Sequence, residues 1–318
     1  MTTSAQSIDR LVEVSEESIA KGSKSFALAS RILPPETRRD VVMLYAWCRY
    51  ADDVIDDQVA GFRAGDASSS SETERLKELE SRTRNALSGS PDDDRVFQAL
   101  SHIAKKDKFA KHHPLELIDG FRMDVEGRKY REFSDTLDYC YHVAGVVGVM
   151  MAGLMGARTD EALDRASDLG IAFQLTNIAR DIFDDAEIGR VYLPSKWLEK
   201  FNLDIKNLAD PANRKSVYQV ALKLLSEADH YYASARAGYS ALPFRARWSI
   251  AAAARIYREI GEVIRAGGPD VWRERVSTST PRKLVLVLKA LGDSVYYSRQ
   301  SAGDERDGLY QRPRMAEN

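Results

Sequence analysis

The chain has 318 residues, of which 44% are hydrophobic and 30% are charged, and its formal net charge is -2. This composition is typical of a globular protein with enough apolar material for a sizeable core. Because the charges are nearly balanced, there is no long-range positive field to attract nucleic acid, and we exclude nucleic acid as a partner.

The predicted secondary structure is helical throughout. Apolar residues recur at intervals of three and four positions, and the alternation typical of β-strands is hard to find. Pro34 and Pro35 favour the start of the third helix, because proline fits the first helical turn. The predicted helices span residues 5–20, 22–31, 36–57, 72–88, 94–106, 114–127, 135–156, 159–186, 213–238, 244–266 and 281–300. We therefore predict an all-α fold, a single large helical bundle with a central cavity.

No linker rich in proline, glycine or serine divides the sequence. We predict a single domain over residues 1–318, with residues 303–318 as a flexible tail. The polar segment Met1–Arg10 lacks the pattern of an export signal, which favours a cytoplasmic protein. The longest apolar run, Val143–Gly156, is shorter than the roughly 18 to 20 residues of a membrane-spanning helix, so we expect a buried core helix. Peripheral contact with a membrane stays open.

Two acidic clusters, at residues 52–57 and 177–185, lie within otherwise apolar predicted helices. Residues four apart lie on one face of a helix, so each cluster presents a row of oxygen donors. The rows are Asp52 and Asp56 in the first cluster, and Asn177, Asp181 and Asp185 in the second. Neighbouring carboxylates repel one another unless a cation lies among them. Oxygen ligands without accompanying cysteine or histidine suit Mg²⁺ or Mn²⁺, and magnesium commonly completes its shell with water and phosphate oxygens.

Most acidic runs on helices are simply solvated surface, and a single run would favour that interpretation. Two runs, each accompanied by apolar residues and an arginine, favour a functional one. Facing each other across a bundle, they would form a polar floor beneath an apolar cavity.

Six motifs follow one another along nearly the whole chain. They are Gly22–Phe26, Leu44–Arg49, Asp52–Asp57, Tyr139–Gly145, Gln174–Asp181 and Arg190–Pro194. In this order they resemble the squalene and phytoene synthases, and most closely the phytoene synthases of bacterial carotenoid pathways. The resemblance implies a helical bundle of the isoprenoid synthase type.

The resemblance also implies the roles of individual residues. The metal-binding set would be Asp52, Asp56, Asn177, Asp181 and Asp185, holding Mg²⁺ or Mn²⁺. The diphosphate-binding set would be Ser23, Lys24, Ser25, Arg49, Arg180 and Tyr257, with either Arg282 or Arg275 from the last third. The catalytic set beside the reacting carbons would be Tyr45, Tyr139 and Gln174, together with Arg49 and Arg180.

The implied reaction joins two molecules of geranylgeranyl diphosphate head to head, through prephytoene diphosphate, to give phytoene and free diphosphate. No NADPH is expected. The alternatives are a dehydrosqualene or squalene synthase acting on farnesyl diphosphate, a terpene cyclase or chain-elongating prenyltransferase, and a non-catalytic scaffold of the same fold. The sequence leaves the substrate chain length and the oligomeric state open.

Overall fold

The computed structural model describes residues 2–22, 24–55, 58–59, 62–63, 71–106, 109–297 and 306–314. Within these residues the fold is all-α, as the apolar periodicity predicts, apart from one small antiparallel hairpin. Its strands are β1 (Gln58–Val59) and β2 (Phe62–Arg63).

The α-helices form one bundle around a continuous hydrophobic core. They are α1 (Thr2–Gly22), α2 (Lys24–Ser30), α3 (Pro35–Ile55), α4 (Glu72–Ser88), α5 (Arg95–Ala104), α6 (His113–Val125), α7 (Phe133–Cys140), α8 (Val146–Met155), α9 (Asp160–Glu187), α10 (Ser195–Lys200), α11 (Arg214–Ala237), α12 (Phe244–Gly267) and α13 (Thr280–Tyr296). Short 3₁₀ turns lie at Ile205–Asn207, Pro211–Asn213, Gly238–Ala241 and Gly268–Arg273.

Helix α9 is the central element and packs against α8, α11 and α12. Thr159 caps its start, with the side-chain oxygen accepting a hydrogen bond from the backbone N–H of Ala162 at 3.2 Å. Its 28 residues give a length of about 42 Å. One helix therefore runs from the acidic cluster at one end of the bundle interior to the opposite end.

Helices α7 and α8 are joined without a break by one π-helical turn, Tyr141–Gly145. The combined span Phe133–Met155 is long and apolar enough to cross a membrane by length and composition alone, but 67% of its most apolar window is buried inside the fold. The expectation of a buried core helix is confirmed. The π turn was not predicted, because a single inserted residue does not disturb the apolar pattern visibly.

Glycine lets α9 approach α8 and the preceding π turn closely. A Cβ atom on Gly148 would lie 2.3 Å from the carbonyl oxygen of Ala166, and one on Gly170 would lie 2.2 Å from that of Ala144. Both distances are well below van der Waals contact, so the crossing requires residues without side chains. Residues along α9 from Arg165 to Asp185 line the cavity described below.

Residues 306–314, which we call the strap, belong to the predicted flexible tail and pair with acidic residues on α9. Arg312 is buried and pairs with Asp160 and Asp164 at 2.6 Å each. Arg306 pairs with Asp168 at 2.6 Å. The polar composition suggested a solvated tail, because nothing in the local pattern indicates that these arginines meet acidic residues on α9.

Candidate active site

The bundle encloses a cavity of about 520 Å³. Its walls are mainly apolar and come from several helices. Val147, Met151 and Met155 belong to α8, Leu169 to α9 and Ile250 to α12. A deep apolar space with polar groups gathered in one region is the usual form of a small-molecule site.

The predicted oxygen donors meet in this cavity. Asp52 lines it from α3, and Asn177, Asp181 and Asp185 line it from α9. The i, i+4 spacing along α9 puts its three donors on the face that points inward. The fifth predicted donor, Asp56, lies outside the described residues. Two separate helices therefore contribute oxygen donors to one enclosed space.

Two arginines within the site are paired with these carboxylates. Arg49 donates from Nη1 to Asp52 Oδ2 at 3.0 Å and from Nη2 to Asp53 Oδ1 at 2.5 Å. Arg180 donates to both carboxylate oxygens of Asp181, at 2.7 and 2.5 Å. Both guanidinium groups are largely shielded from solvent. The two arginines balance part of the negative charge that the aspartates bring into the cavity.

Two observations fit a cation bound among these donors. Burial, with the neighbouring charge of Asp181, raises the pKa of Asp185 to about 7. The side-chain oxygen of Asn177 is buried and has no hydrogen-bond partner among the described residues. Such a buried acceptor is costly unless something binds it. The unpaired oxygen and the crowded carboxylates fit a divalent ion held by hard oxygen ligands.

A second group of polar residues beside the aspartates was not anticipated. Asp124, on α6, accepts hydrogen bonds from Tyr139 Oη at 3.0 Å and from Tyr192 Oη at 3.1 Å. The rings of Tyr139 and Tyr192 stack with centroids 4.5 Å apart. Asp124, Tyr192 and Arg190 all line the cavity. The motif Arg190–Pro194 offered a signal for two of them, whereas Asp124 carried none beyond an acidic residue in an apolar helix.

Aromatic faces flank the polar region. Tyr45 stacks on Phe26 with centroids 4.4 Å apart, and Tyr257 stacks on Phe173 at 4.2 Å. All four line the cavity. Gln174 lines it too, and its side-chain oxygen accepts from the side-chain amide of Asn177 at 3.4 Å.

Some predicted residues are not brought to this site. Arg282, predicted as a diphosphate ligand, does not line the cavity; its guanidinium forms an exposed two-point pair with Glu259 at 2.7 and 3.1 Å. Arg275 is exposed and does not line the cavity either. Besides Arg49 and Arg180, the cavity is lined by Arg190 and Arg165.

Three residues at the start of α2 were predicted to bind diphosphate: Ser23, Lys24 and Ser25. Ser25 is half-buried and does not line the cavity. Ser23 lies outside the described residues, as does the side chain of Lys24.

The helical bundle and its aspartate-edged apolar cavity define an enzyme of the all-α isoprenoid synthase class. Residues 19–282 match the family of squalene/phytoene synthases, and the chain belongs to that family.

Similar proteins agree with this assignment. A 15-cis-phytoene synthase from Pantoea ananas is 49% identical over 298 residues, covering 93% of this chain and 96% of the relative. A 15-cis-phytoene synthase from a Paracoccus species is 50% identical over 306 residues, covering 96% and 99%. Among solved structures, a dehydrosqualene synthase in complex with a ligand has a TM-score of 0.81 at 28% identity, covering 90% of this chain and 97% of that one. The chain is a prenyltransferase.

Proposed function

We propose that this chain is a 15-cis-phytoene synthase that condenses two molecules of geranylgeranyl diphosphate head to head. The observation that carries the proposal is the convergence of Asp52 from α3 with Asn177, Asp181 and Asp185 from α9 at one apolar cavity. Relatives at 49% and 50% identity over nearly the full chain bear the same name. The product is phytoene, formed through prephytoene diphosphate, with diphosphate released.

The proposed cofactor is Mg²⁺, with Mn²⁺ as a substitute. Asp52, Asn177, Asp181 and Asp185 are the described residues that would hold it, and Asp56 would join them. Bound there, the metal would neutralise charge on the diphosphate oxygens and make diphosphate a better leaving group. Asn177 supports this assignment through its buried, unpartnered oxygen. No NADPH is required, because formation of phytoene ends in loss of a proton rather than in reduction.

Arg49, Arg180 and Arg190 hold the diphosphate. Arg49 and Arg180 pair with Asp52, Asp53 and Asp181 at the cavity. With these carboxylates turned to a bound cation, the guanidinium groups would be available for diphosphate oxygens, which suit their planar pairs of donors. There they would stabilise the charge that develops on the departing diphosphate. Tyr257 adds a hydroxyl beside Arg180.

The apolar walls exclude water from the carbocations that follow departure of diphosphate. Tyr45 and Tyr139 present aromatic rings to the same space, and the negative faces of aromatic rings stabilise nearby positive charge. Tyr139 is held in place by its hydrogen bond to Asp124 and by stacking on Tyr192. Gln174 keeps the orientation of Asn177 through the contact between their side chains.

We also propose that the enzyme is cytoplasmic and contacts a membrane peripherally. Helix α13 supports the membrane contact. Leu284, Leu288 and Val295 follow one face of α13 and are 50%, 68% and 58% exposed. The opposite face packs inward through Ala290 and Ser294. A forty-carbon hydrocarbon is insoluble in water, so an apolar face that meets lipid gives the product a route out of the protein.

A dehydrosqualene synthase acting on farnesyl diphosphate is the second candidate, because a solved enzyme of that name has the same fold at 28% identity. The discriminating experiment offers purified protein either geranylgeranyl or farnesyl diphosphate, with Mg²⁺ and without NADPH, and identifies the extracted hydrocarbon by mass. We expect phytoene from the longer substrate. A thirty-carbon hydrocarbon as the main product would reject the proposal in favour of the second candidate, and no hydrocarbon from either would favour a non-catalytic scaffold.

A further inference from the structure

The strap (residues 306–314) contacts three elements whose other faces line the cavity. Tyr310 donates from its hydroxyl to Asp138 on α7 at 2.8 Å and from its backbone N–H to the hydroxyl of Tyr231 on α11 at 3.0 Å. Arg306 reaches α9. The strap therefore fixes α7, α9 and α11 relative to one another from outside the cavity.

Among the residues that the strap contacts, Asp168 most needs a charged partner, because its side chain is fully buried. Arg306 donates from Nε and Nη2 to the two carboxylate oxygens, at 2.8 and 2.6 Å. An ionised carboxylate in a protein interior is costly unless it is paired and hydrogen-bonded. Arg306 supplies that pairing in the two-point geometry that suits arginine.

A hydrogen-bonded chain continues from Asp168 to the cavity wall. Ser234, on α11, donates its hydroxyl proton to Asp168 Oδ2. The same hydroxyl oxygen accepts from Arg165 Nη1 at 2.8 Å. Arg306, Asp168, Ser234 and Arg165 thus form one continuous series from the strap to α9. The guanidinium of Arg165 is fixed at the end of this series.

Arg165 lines the cavity at the end remote from the aspartates. It precedes Asp181 by 16 positions on the same helix, a separation of about 24 Å. The neighbouring wall is tight, because a Cβ atom on Gly238 would lie 2.5 Å from the Cβ of Arg165. A prenyl chain whose diphosphate lay at the aspartates would point its tail toward Arg165, and a longer chain would come nearer to it than a shorter one.

We propose that Arg306 of the strap is a positioning residue for Arg165, acting through Asp168 and Ser234, and that Arg165 sets how well the remote end of the cavity holds the longer prenyl chain. This inference rests on the proposed function, since it assumes that a prenyl chain occupies the cavity. With Arg306 removed, Arg165 is the cation left in this series to face the buried carboxylate. It is drawn toward Asp168, and the remote wall changes shape.

The test measures binding of two unreactive substrate analogues that differ only in chain length. The probes are farnesyl and geranylgeranyl thiodiphosphate, in which sulfur replaces the bridging oxygen at the first carbon, and binding is measured calorimetrically with Mg²⁺. We expect Arg306→Met and Arg165→Met to weaken binding of the geranylgeranyl analogue about tenfold, while the farnesyl analogue changes by less than twofold. A general loss of structure would weaken both analogues alike.

Two further variants distinguish a loss of Arg165 positioning from a folding defect. Ser234→Ala breaks the link between Asp168 and Arg165 without removing a charge, and we expect the same selective loss. Arg306→Lys retains the cation and should recover most of the longer analogue's binding. The matched control is Arg314→Met, which removes a strap arginine that is 56% exposed and pairs with Asp164 rather than Asp168. It should leave both affinities within twofold of the original protein.

The outcomes separate this inference from the proposed function. If the unaltered protein binds neither analogue, the proposed function fails and the inference fails with it. If it binds both, and Arg306→Met and Ser234→Ala either change nothing or weaken both equally in folded protein, the positioning role of Arg306 is overturned while the proposed function stands.

Discussion

Arg180 and Asp181, adjacent on α9, form a two-point ion pair in which both carboxylate oxygens accept hydrogen bonds, at 2.7 and 2.5 Å. Adjacent helical residues normally point in different directions, so this pair forms only because both side chains turn into the same cavity. The pairing satisfies both carboxylate oxygens of Asp181. A divalent cation bound as proposed would compete with Arg180 for this carboxylate.

The first prediction concerns Asp181. Asp181→Asn keeps the size of the side chain but removes the charge that a divalent cation requires, so phytoene formation should fall by at least about a thousandfold. The helical circular dichroism spectrum should be unchanged. Glu187→Gln is the matched control, because Glu187 is an exposed acid on the same helix and does not line the cavity. Retained turnover in Asp181→Asn would contradict the metal assignment.

The second prediction concerns the stability of the metal-free protein and its dependence on pH. Burial and Asp181 raise the pKa of Asp185 to about 7, whereas an ordinary aspartic acid titrates near 3.8. The folded protein therefore holds this proton more tightly than the unfolded chain does. The resulting stabilisation is fully present below about pH 4 and is lost as the pH rises through about 7.

Asp185→Asn removes this titration. In the presence of a chelator, we expect the variant to have a Tm a few degrees above that of the original protein at pH 8, where Asp185 is ionised beside Asp181. The difference should shrink toward pH 5. Thermal unfolding at several pH values measures the Tm difference and its change with pH. A Tm difference that does not vary with pH would show that Asp185 has an ordinary pKa.

The third prediction concerns the crossing of α8 and α9. Gly170→Ala should lower the free energy of unfolding by about 1–3 kcal/mol, because the added Cβ would lie 2.2 Å from the carbonyl oxygen of Ala144 and push the helices apart. Gly292→Ala is the matched control on α13, where a Cβ meets no atom within 4 Å. It should increase the free energy of unfolding by about 0.5–1 kcal/mol, since alanine favours helix more than glycine does. Equal changes in the free energy of unfolding for the two substitutions, measured by chemical denaturation, would contradict the close crossing.

The fourth prediction concerns helix α13 and lipid. The double substitution Leu284→Gln with Leu288→Gln should weaken binding to phosphatidylcholine vesicles at least about tenfold, because insertion of each leucine is worth about 1.5–3 kcal/mol when fully buried. Ile205→Gln serves as the control, since Ile205 is also an exposed apolar residue, 46% accessible, but belongs to a different element. Sedimentation with vesicles measures how strongly the double variant and the control bind. Unchanged binding after the double substitution would exclude α13 as the membrane contact.

The features that could be predicted from sequence are those fixed by local spacing. Helix α9 was predicted at 159–186 and spans Asp160–Glu187, because a capping threonine and regular apolar spacing mark its limits. The inward row of Asn177, Asp181 and Asp185 follows from the same helical geometry. Small elements such as α10 (Ser195–Lys200) were missed, since six residues carry too short a pattern.

The features that could not be predicted depend on contacts between distant parts of the chain. Asp124 joins the site because α6 meets the segment around Tyr192, and no local pattern indicates that meeting. The position of Arg282 away from the cavity lining could not be predicted, because its direction is set by how α13 packs on α12, where it pairs with Glu259. The strap was predicted to be flexible because its partners on α9 lie more than a hundred positions earlier, as the pair of Arg306 with Asp168 illustrates.

Binding of Mn²⁺ to protein saturated with geranylgeranyl thiodiphosphate, observed by electron paramagnetic resonance, tests whether α3 and α9 hold a divalent cation between them. Mn²⁺ reports on the magnesium site because both ions prefer oxygen ligands. Asp52 and Asp181 come from different helices, so we expect Asp52→Asn and Asp181→Asn each to abolish most of the bound signal, while Glu187→Gln retains it. Full Mn²⁺ binding in either aspartate variant would contradict a cation held between α3 and α9.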